Sequence, residues 1–98
     1  MTEINTKIIT TYHYNNKIKE KYFICNEKKQ GEYIGFFDDG NISIIINYIN
    51  DIKNGYYKSF WYNGNLWIDA YYINDKLHGI YKSYFSNGQI NNEFYFTN

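Results

Sequence analysis

Three segments of this 98-residue chain carry one pattern at a constant spacing of 24 residues. They begin at Gly31, Gly55 and Gly79. Each continues through a segment rich in aromatic residues to Asp-Gly or Asn-Gly, which is followed by Asn-Ile, Asn-Leu or Gln-Ile. A fixed period of this length indicates one supersecondary unit that stacks on copies of itself.

A fourth, degenerate copy precedes these three. Moving back by one period aligns Asn16 with Gly40 and Ile18 with Ile42, although Lys7 stands where the other copies have glycine. Loss of that glycine and a surplus of lysine are typical of a terminal unit whose edge faces water. We therefore predict a single domain over residues 1–98, with a degenerate unit 7–30 followed by units 31–54, 55–78 and 79–98.

Each unit is predicted to be a β-hairpin. The dipeptide Asn63-Gly64, like its equivalents at 39–40 and 87–88, is typical of a two-residue type I′ turn. The segments 50–55 and 74–79 then predict longer Asn/Asp/Gly turns between consecutive hairpins. Because the chain has no proline and is 22% aromatic, we expect strands throughout. The predicted fold is all-β, an eight-stranded antiparallel meander in one twisted layer, with edge strands at 7–14 and 89–96.

The predicted turn fixes the strand register and sorts the side chains onto two faces. It pairs Phe60 with Trp67 and Lys58 with Asp69, and the same register pairs Lys82 with Glu93 in the next unit. Alternation along the strands then gives an apolar core face with a small residue at its centre. In the third unit this core face carries Tyr57, Ser59, Trp61, Leu66, Ile68, Ala70 and Tyr72. The opposite face, called the mixed face here, carries both rings and charges.

The pattern G-x-Y-x-x-[FY]-[FW]-x-[ND]-G-x-[IL], followed by Tyr-x-Asn-Asp, resembles the MORN repeat (membrane occupation and recognition nexus). It is most similar to the short bacterial or viral variant described as antitoxin-like, and the resemblance covers residues 31–96. It implies a single-layer β-hairpin repeat protein that acts by interaction, as an antitoxin-like partner, an inhibitor or a scaffold at a membrane surface. The residues that match are Gly55, Tyr57, Phe60, Asn63, Gly64, Leu66, Tyr72, Asn74, Asp75 and Gly79.

Catalysis is not expected from the ionisable residues. His78 falls in a turn position, His13 takes the position of Phe37 and Trp61, and Cys25 has no histidine at a useful spacing. The recurring turn aspartates are typical of backbone caps, and no Cys/His cluster has metal-binding spacing. We predict no enzyme activity, no metal and no cofactor.

The mixed face of the third unit is the predicted binding surface for another protein, because exposed aromatic patches often mark binding sites. The alternative is that this face packs inside the protein. The predicted contact residues are Tyr56, Lys58, Phe60, Tyr62, Trp67, Asp69 and Tyr71.

Other partners follow from composition and architecture. A carbohydrate or choline module is the alternative function, since short hairpins rich in tyrosine and tryptophan can stack sugars or cations. A formal net charge of zero argues against nucleic acid and against anionic membranes. A single sheet also leaves an apolar face and two edges uncovered, which predicts a homodimer as a further possibility.

The cellular context is predicted from residue usage. A single cysteine and the lack of a signal sequence favour the cytoplasm, which would be the host cytoplasm for a viral protein. Abundant Asn, Ile, Lys and Tyr with no Arg indicate an AT-rich genome, such as that of a virus, a phage or a low-GC bacterium.

Overall fold

One antiparallel sheet contains every strand of the computed structural model, which describes residues 5–97. The strands follow one another in chain order across the sheet, and the short strand β7 lies beside β6 next to β8. The predicted all-β meander is therefore confirmed. The strands are β1 (Thr6–Tyr12), β2 (Ile18–Cys25), β3 (Lys28–Phe36), β4 (Ile42–Ile49), β5 (Ile52–Phe60), β6 (Leu66–Ile73), β7 (Lys76–Leu77), β8 (Gly79–Tyr84) and β9 (Ile90–Phe96).

The strand count in the described residues is nine, whereas the sequence predicted eight. The predicted seventh strand is interrupted at His78 and is divided into β7 and β8, both paired with β6. The backbone N–H of His78 still donates to the carbonyl of Tyr71 at 2.9 Å. The interruption is therefore a local irregularity in one strand, and the order of the meander is unchanged.

The turns within the hairpins are longer than the sequence predicted. Trp61 donates its N–H to the carbonyl of Asn65 at 2.8 Å, and Gly64 donates to the carbonyl of Trp61 at 2.9 Å. These bonds, with φ of +91° at Gly64, define a three-residue loop that ends in a bulge at glycine. The side chain of Asn63 stabilises the loop by accepting from the N–H of Asn65 at 3.0 Å. The equivalent backbone bonds recur in the hairpins that turn at His13, Phe37 and Phe85.

The turns between hairpins are the two-residue type I′ turns, so the prediction assigned the two turn types the wrong way round. Asn50 and Asp51 have φ of 50° and 69°, and the same signs recur at Asn74 and Asp75. Asn and Asp tolerate this left-handed region better than other non-glycine residues. A type I′ turn needs positive φ at both central positions, which the Asn-Asp dipeptide supplies without glycine.

Each of these turns is also bonded to the preceding hairpin. Asp51 donates its N–H to the carbonyl of Lys29 at 2.9 Å, and its carboxylate accepts from the N–H of Lys29 at 2.7 Å. Asp75 makes the same two bonds with Lys53, at 2.9 and 2.7 Å. The aspartates do cap backbone groups, as predicted, but the N–H groups that their carboxylates cap belong to the neighbouring unit.

The predicted register holds in the middle of the strands and fails near the hairpin turns. Lys58 lies opposite Asp69, and Lys82 lies opposite Glu93, as predicted. The register then shifts between Ser59 and Phe60. The predicted pairing of Phe60 with Trp67 is wrong, because the longer loop places Phe60 opposite Leu66.

The sheet is one layer thick, with overall extents of 50 × 42 × 11 Å. Its buried residues lie in the middle of the predicted core face, where small side chains allow neighbouring groups to cover the backbone. They include Ile46 and Ala70, which are 7% and 4% exposed, together with Gly35, Ser59 and Ser83. The predicted core face is therefore confirmed for the middle of the strands. The alternative that the mixed face packs inside the chain is wrong for residues 5–97, since the open sheet places no second layer over it.

Candidate functional site

Strands β5 and β6 hold the centre of the predicted binding surface. Tyr56 lies directly opposite Tyr71, two positions along from the pair formed by Lys58 and Asp69. The two tyrosine rings meet edge to face with centroids 6.4 Å apart. The Nζ atom of Lys58 lies 5.9 Å from the centroid of Tyr56, within the range of a cation–π contact.

These four side chains line one shallow depression of about 330 Å³ on the mixed face. Tyr56 and Tyr71 are 55% and 45% exposed, whereas Lys58 and Asp69 are half-buried. Three further lining residues, Ala70, Ile80 and Lys82, were not predicted from the sequence, because strands were paired only within a hairpin. The signal for Lys82 was present, because Asp69 also lies opposite Lys82 across the next strand pair.

The other three predicted residues lie outside this depression. Phe60 is half-buried opposite Leu66. Tyr62, 59% exposed, packs its ring against Phe37 with centroids 5.1 Å apart and donates its hydroxyl to Asp38 at 3.1 Å. This hydrogen bond to a carboxylate raises the pKa of Tyr62 above its ordinary value.

Trp67 forms a stacked pair with Trp61 at the hairpin turn. Their ring centroids lie 4.5 Å apart with planes inclined by 27°. The alternation predicted these two rings on opposite faces, and that assignment is wrong because the bulge beside Trp67 changes the direction of the side chains. The indole N–H of Trp61 donates to the carbonyl of Tyr84 at 3.0 Å, which holds the pair against the next hairpin. Trp67 remains 42% exposed.

Two rows of residues cross the mixed face over β5, β6, β8 and β9. Each charged side chain in the first row lies directly opposite its neighbour in the next strand, so that the signs alternate. We call this the charged row; it consists of Lys58, Asp69, Lys82 and Glu93. The row beside it is exposed by 45% to 72% and carries three rings and one isoleucine. We call this the apolar row; it consists of Tyr56, Tyr71, Ile80 and Tyr95.

The opposite face is lined by tyrosines whose rings are covered by lysines of the same chain. The Nζ atom of Lys53 lies 5.6 Å from the centroid of Tyr57 and 5.0 Å from that of Tyr72. Lys29 lies in the same way over Tyr22, Tyr33 and Tyr48, at 5.1 to 5.6 Å. Burial raises the pKa values of Tyr33, Tyr48, Tyr57 and Tyr72 above the ordinary value.

The carboxylate of Glu20 lies on this tyrosine-lined face. Glu20 accepts hydrogen bonds from the hydroxyls of Tyr33 and Thr11. These bonds, that from Tyr33 foremost, lower the pKa of Glu20 below its ordinary value. The network is a satisfied polar cluster within the sheet.

His13 makes a structural contact, whereas His78, predicted in a turn, lies half-buried between β7 and β8 within the interrupted strand. His13 has one ring nitrogen 2.8 Å from the carbonyl of Phe36, which is the contact that Trp61 makes two units later. Cys25 is a half-buried thiol at the end of β2. Within residues 5–97, no group of three or more His, Cys, Asp or Glu side chains is arranged to hold a metal ion. The same part of the chain contains no helix that could span a membrane.

Comparison with known families gives one match. The family model of the MORN repeat variant matches residues 29–50, 53–74 and 77–98, three segments that begin 24 residues apart. Together they cover two thirds of the chain. Comparison with curated proteins and with solved structures gives no significant match.

Proposed function

Because the chain belongs to the MORN repeat variant family, whose members are non-catalytic interaction or scaffold modules, we propose that it binds and covers a functional surface of a larger protein. The binding surface is the mixed face of the third hairpin. In this proposal the chain acts as an antitoxin-like or inhibitor protein by steric occlusion, and its target lies in the cytoplasm.

The observation that carries the proposal is the exposure of aromatic side chains around a charged pair. Tyr56 and Tyr71, which lie beside the pair of Lys58 and Asp69, are 55% and 45% exposed on a sheet of one layer. Large rings with a polar tip are enriched at the centres of protein interfaces, where they bury much area at a small entropic cost. The rigid hairpins hold these rings before binding, so that little ordering is required of them.

Affinity capture from the native host tests this proposal. The double variant Tyr56→Ser with Tyr71→Ser should capture no more than about a tenth of the protein that wild type captures. A matched control is Tyr12→Ser with Tyr14→Ser, which removes two rings that are 60% and 89% exposed on the first hairpin.

The control variant should capture the same protein as wild type does. Thermal unfolding of both variants checks that the sheet is intact. Equal capture by wild type and by the Tyr56/Tyr71 variant would refute the mixed face as the binding surface.

Carbohydrate or choline binding is the second candidate, and one observation favours it. The stacked pair of Trp61 and Trp67, with Trp67 part-exposed, is a platform on which a sugar or a quaternary ammonium could stack. Over the tyrosines of the tyrosine-lined face, by contrast, the ammonium groups of Lys29 and Lys53 already occupy the positions above the rings. Titration with choline or with cell-wall oligosaccharides, followed by tryptophan fluorescence, distinguishes this candidate from the first.

The third candidate, a scaffold at a membrane surface, depends on local lysines because the formal net charge is zero. Lysines 17, 19, 21, 28 and 29 all belong to the first unit, where they lie just before β2, on β2 and at the start of β3. Binding through them would make the protein pellet with anionic vesicles at low salt and release it at high salt. A protein that stays in the supernatant at low salt would refute this candidate.

A further inference from the structure

The charged row is complementary to itself when its order is reversed. Read from β5 to β9, the charges of Lys58, Asp69, Lys82 and Glu93 run plus, minus, plus, minus. Reversed, they run minus, plus, minus, plus. A second row laid over the first in the opposite direction therefore places an opposite charge against every position.

We propose that the mixed face binds a second copy of this chain, related to the first by a two-fold axis parallel to the strands. The inference rests on the proposed function only in taking the mixed face as a protein-binding surface. The second copy occupies the face that a target would cover, so the dimer and the target complex exclude one another. The axis passes between β6 and β8 and lies in the plane between the two sheets. Lys58 then lies over Glu93 of the second copy, and Asp69 lies over Lys82.

The same operation also matches the apolar rows. A rotation about an axis along the strands reverses the order of strands and leaves each position at the same height along them. The apolar row therefore covers the apolar row of the second copy, with Tyr56 over Tyr95 and Tyr71 over Ile80. A two-fold axis perpendicular to the strands would instead place Lys58 over Lys58 and Asp69 over Asp69, which like charges oppose.

The sheets then pack in an arrangement that is common among proteins. The strand axes of the two copies are aligned, and two packed sheets generally keep their strand axes within about 30° of each other. Such a contact is isologous, so the dimer is closed and does not extend into a filament.

The exposed area of the chain is sufficient for this dimer. Its accessible surface is 6840 Å², whereas a compact monomer of 11.9 kDa exposes about 5,900 Å². The excess of about 900 Å² per chain is close to the area of about 800 Å² that each partner buries in a standard interface.

The mixed face fits a second copy better than the tyrosine-lined face does. On the tyrosine-lined face, Lys29 and Lys53 lie over rings of their own chain, and a second sheet would have to displace or bury both ammonium groups. Burial of a charge without an opposite partner is unfavourable. The charged row offers each buried charge such a partner.

Two charge reversals test the proposal, because each removes the complementarity and the two together restore it. Lys82→Glu changes the row to plus, minus, minus, minus, and Asp69→Lys changes it to plus, plus, plus, minus. A homodimer of either variant contains two contacts between like charges. In a mixture of the two variants, every position again faces an opposite charge.

Sedimentation velocity and light scattering over a range of concentrations supply the measurement. We expect wild type to dimerise and each single variant to dissociate with a constant raised about a hundredfold or more. An equimolar mixture should regain the wild-type dimer. Tyr95→Ser, at the most exposed position of the apolar row, should weaken the dimer while leaving the charged row unchanged.

Three results would overturn the inference: a wild-type chain that is monomeric at every concentration, a dimer that neither reversal weakens, or a mixture that stays monomeric although circular dichroism shows both variants folded. The second result would instead indicate pairing through β1 or β9, or through the tyrosine-lined face. None of the three results changes how the capture experiment is read. There, a host protein that wild type captures and the Tyr56/Tyr71 variant does not capture supports the proposed function independently.

Discussion

Substitution of Asp75 separates the two roles that the structure gives to the turn aspartates. Its carboxylate accepts from the N–H of Lys53 at 2.7 Å, and its backbone has φ of 68°. Alanine removes the acceptor and also disfavours the left-handed conformation. Glycine removes only the acceptor, and asparagine keeps both an oxygen acceptor and tolerance of positive φ.

The expected magnitudes follow from these two contributions. A hydrogen bond to a charged acceptor contributes about 1.5 kcal/mol at the lower end of its range, which suits an exposed turn. An alanine in the left-handed region costs about 1 kcal/mol. We therefore expect the free energy of unfolding to fall by about 2.5 kcal/mol for Asp75→Ala, about 1.5 for Asp75→Gly and about 0.5 for Asp75→Asn.

Urea unfolding followed by circular dichroism measures these differences, and thermal unfolding should show a decrease of about 10 °C or more for the alanine variant. Asp39→Ala is the matched control. Asp39 also accepts a backbone N–H, that of Asn41 at 2.9 Å, but within its own turn and without positive φ. We expect the free energy of unfolding of the Asp39→Ala control to fall by about 1 kcal/mol. If all three Asp75 variants unfold with wild-type midpoints, the bonds between neighbouring units do not stabilise the sheet as argued.

Three further predictions concern ionisation and buried polar groups. The raised pKa of Tyr72 means that the folded state prefers the neutral phenol, so the stability that this phenol contributes is present below about pH 10 and is lost as the pH rises further. Tyr72→Phe should therefore reduce the fall of the urea midpoint at alkaline pH. The pKa of Glu20 is lowered, so the stability that its carboxylate contributes is present above the unfolded-state pKa near 4.5 and is lost as the pH falls through the folded-state pKa. Glu20→Gln should remove that part of the acid dependence of stability, and an unchanged profile would contradict the role of the bonds from Tyr33 and Thr11. Ser59 is 5% exposed and its hydroxyl has no hydrogen-bond partner among the described residues, so Ser59→Ala should raise the free energy of unfolding by up to about 1 kcal/mol, and a large decrease would show that the hydroxyl has an unseen partner.

The repeat made the fold predictable because its framework residues specify turns and faces in every unit. Glycine and asparagine at fixed positions locate the turns, and alternation along the strands places Ile46 and Ala70 on the core face, where both are buried. The pairing of Lys58 with Asp69 was also predictable. Opposite charges or paired isoleucines recur at that position in every unit that matches the repeat.

The turn types were not predictable from the dipeptides alone. Glycine after asparagine satisfies a two-residue type I′ turn, but it equally satisfies the bulge position of a three-residue loop, since both need positive φ at that residue. The one-residue difference changed the neighbours of Phe60 and brought Trp61 onto Trp67. Errors in the predicted surface therefore concentrate at the hairpin turns.

The lining residues Ile80 and Lys82 were missed for a different reason. Pairing was predicted within hairpins, where a short loop fixes the register, and was not carried from β6 to the following hairpin. The strand there is irregular, with His78 between β7 and β8. The charged row becomes visible only when both kinds of strand pair are joined.

The bonds from Asp51 to Lys29 and from Asp75 to Lys53 connect each unit only to its immediate neighbour, and the sheet has no interior shared by distant units. Removing residues 55–78 would bring β8 beside β4, with Ser83 taking the place of Ser59 opposite Ile44, because the two serines occupy equivalent positions. The architecture can accordingly be shortened or extended by whole units, as in other linear repeat arrays. Its surface area, and with it the size of target that it can span, is a quantity that duplication or loss of 24 codons can adjust.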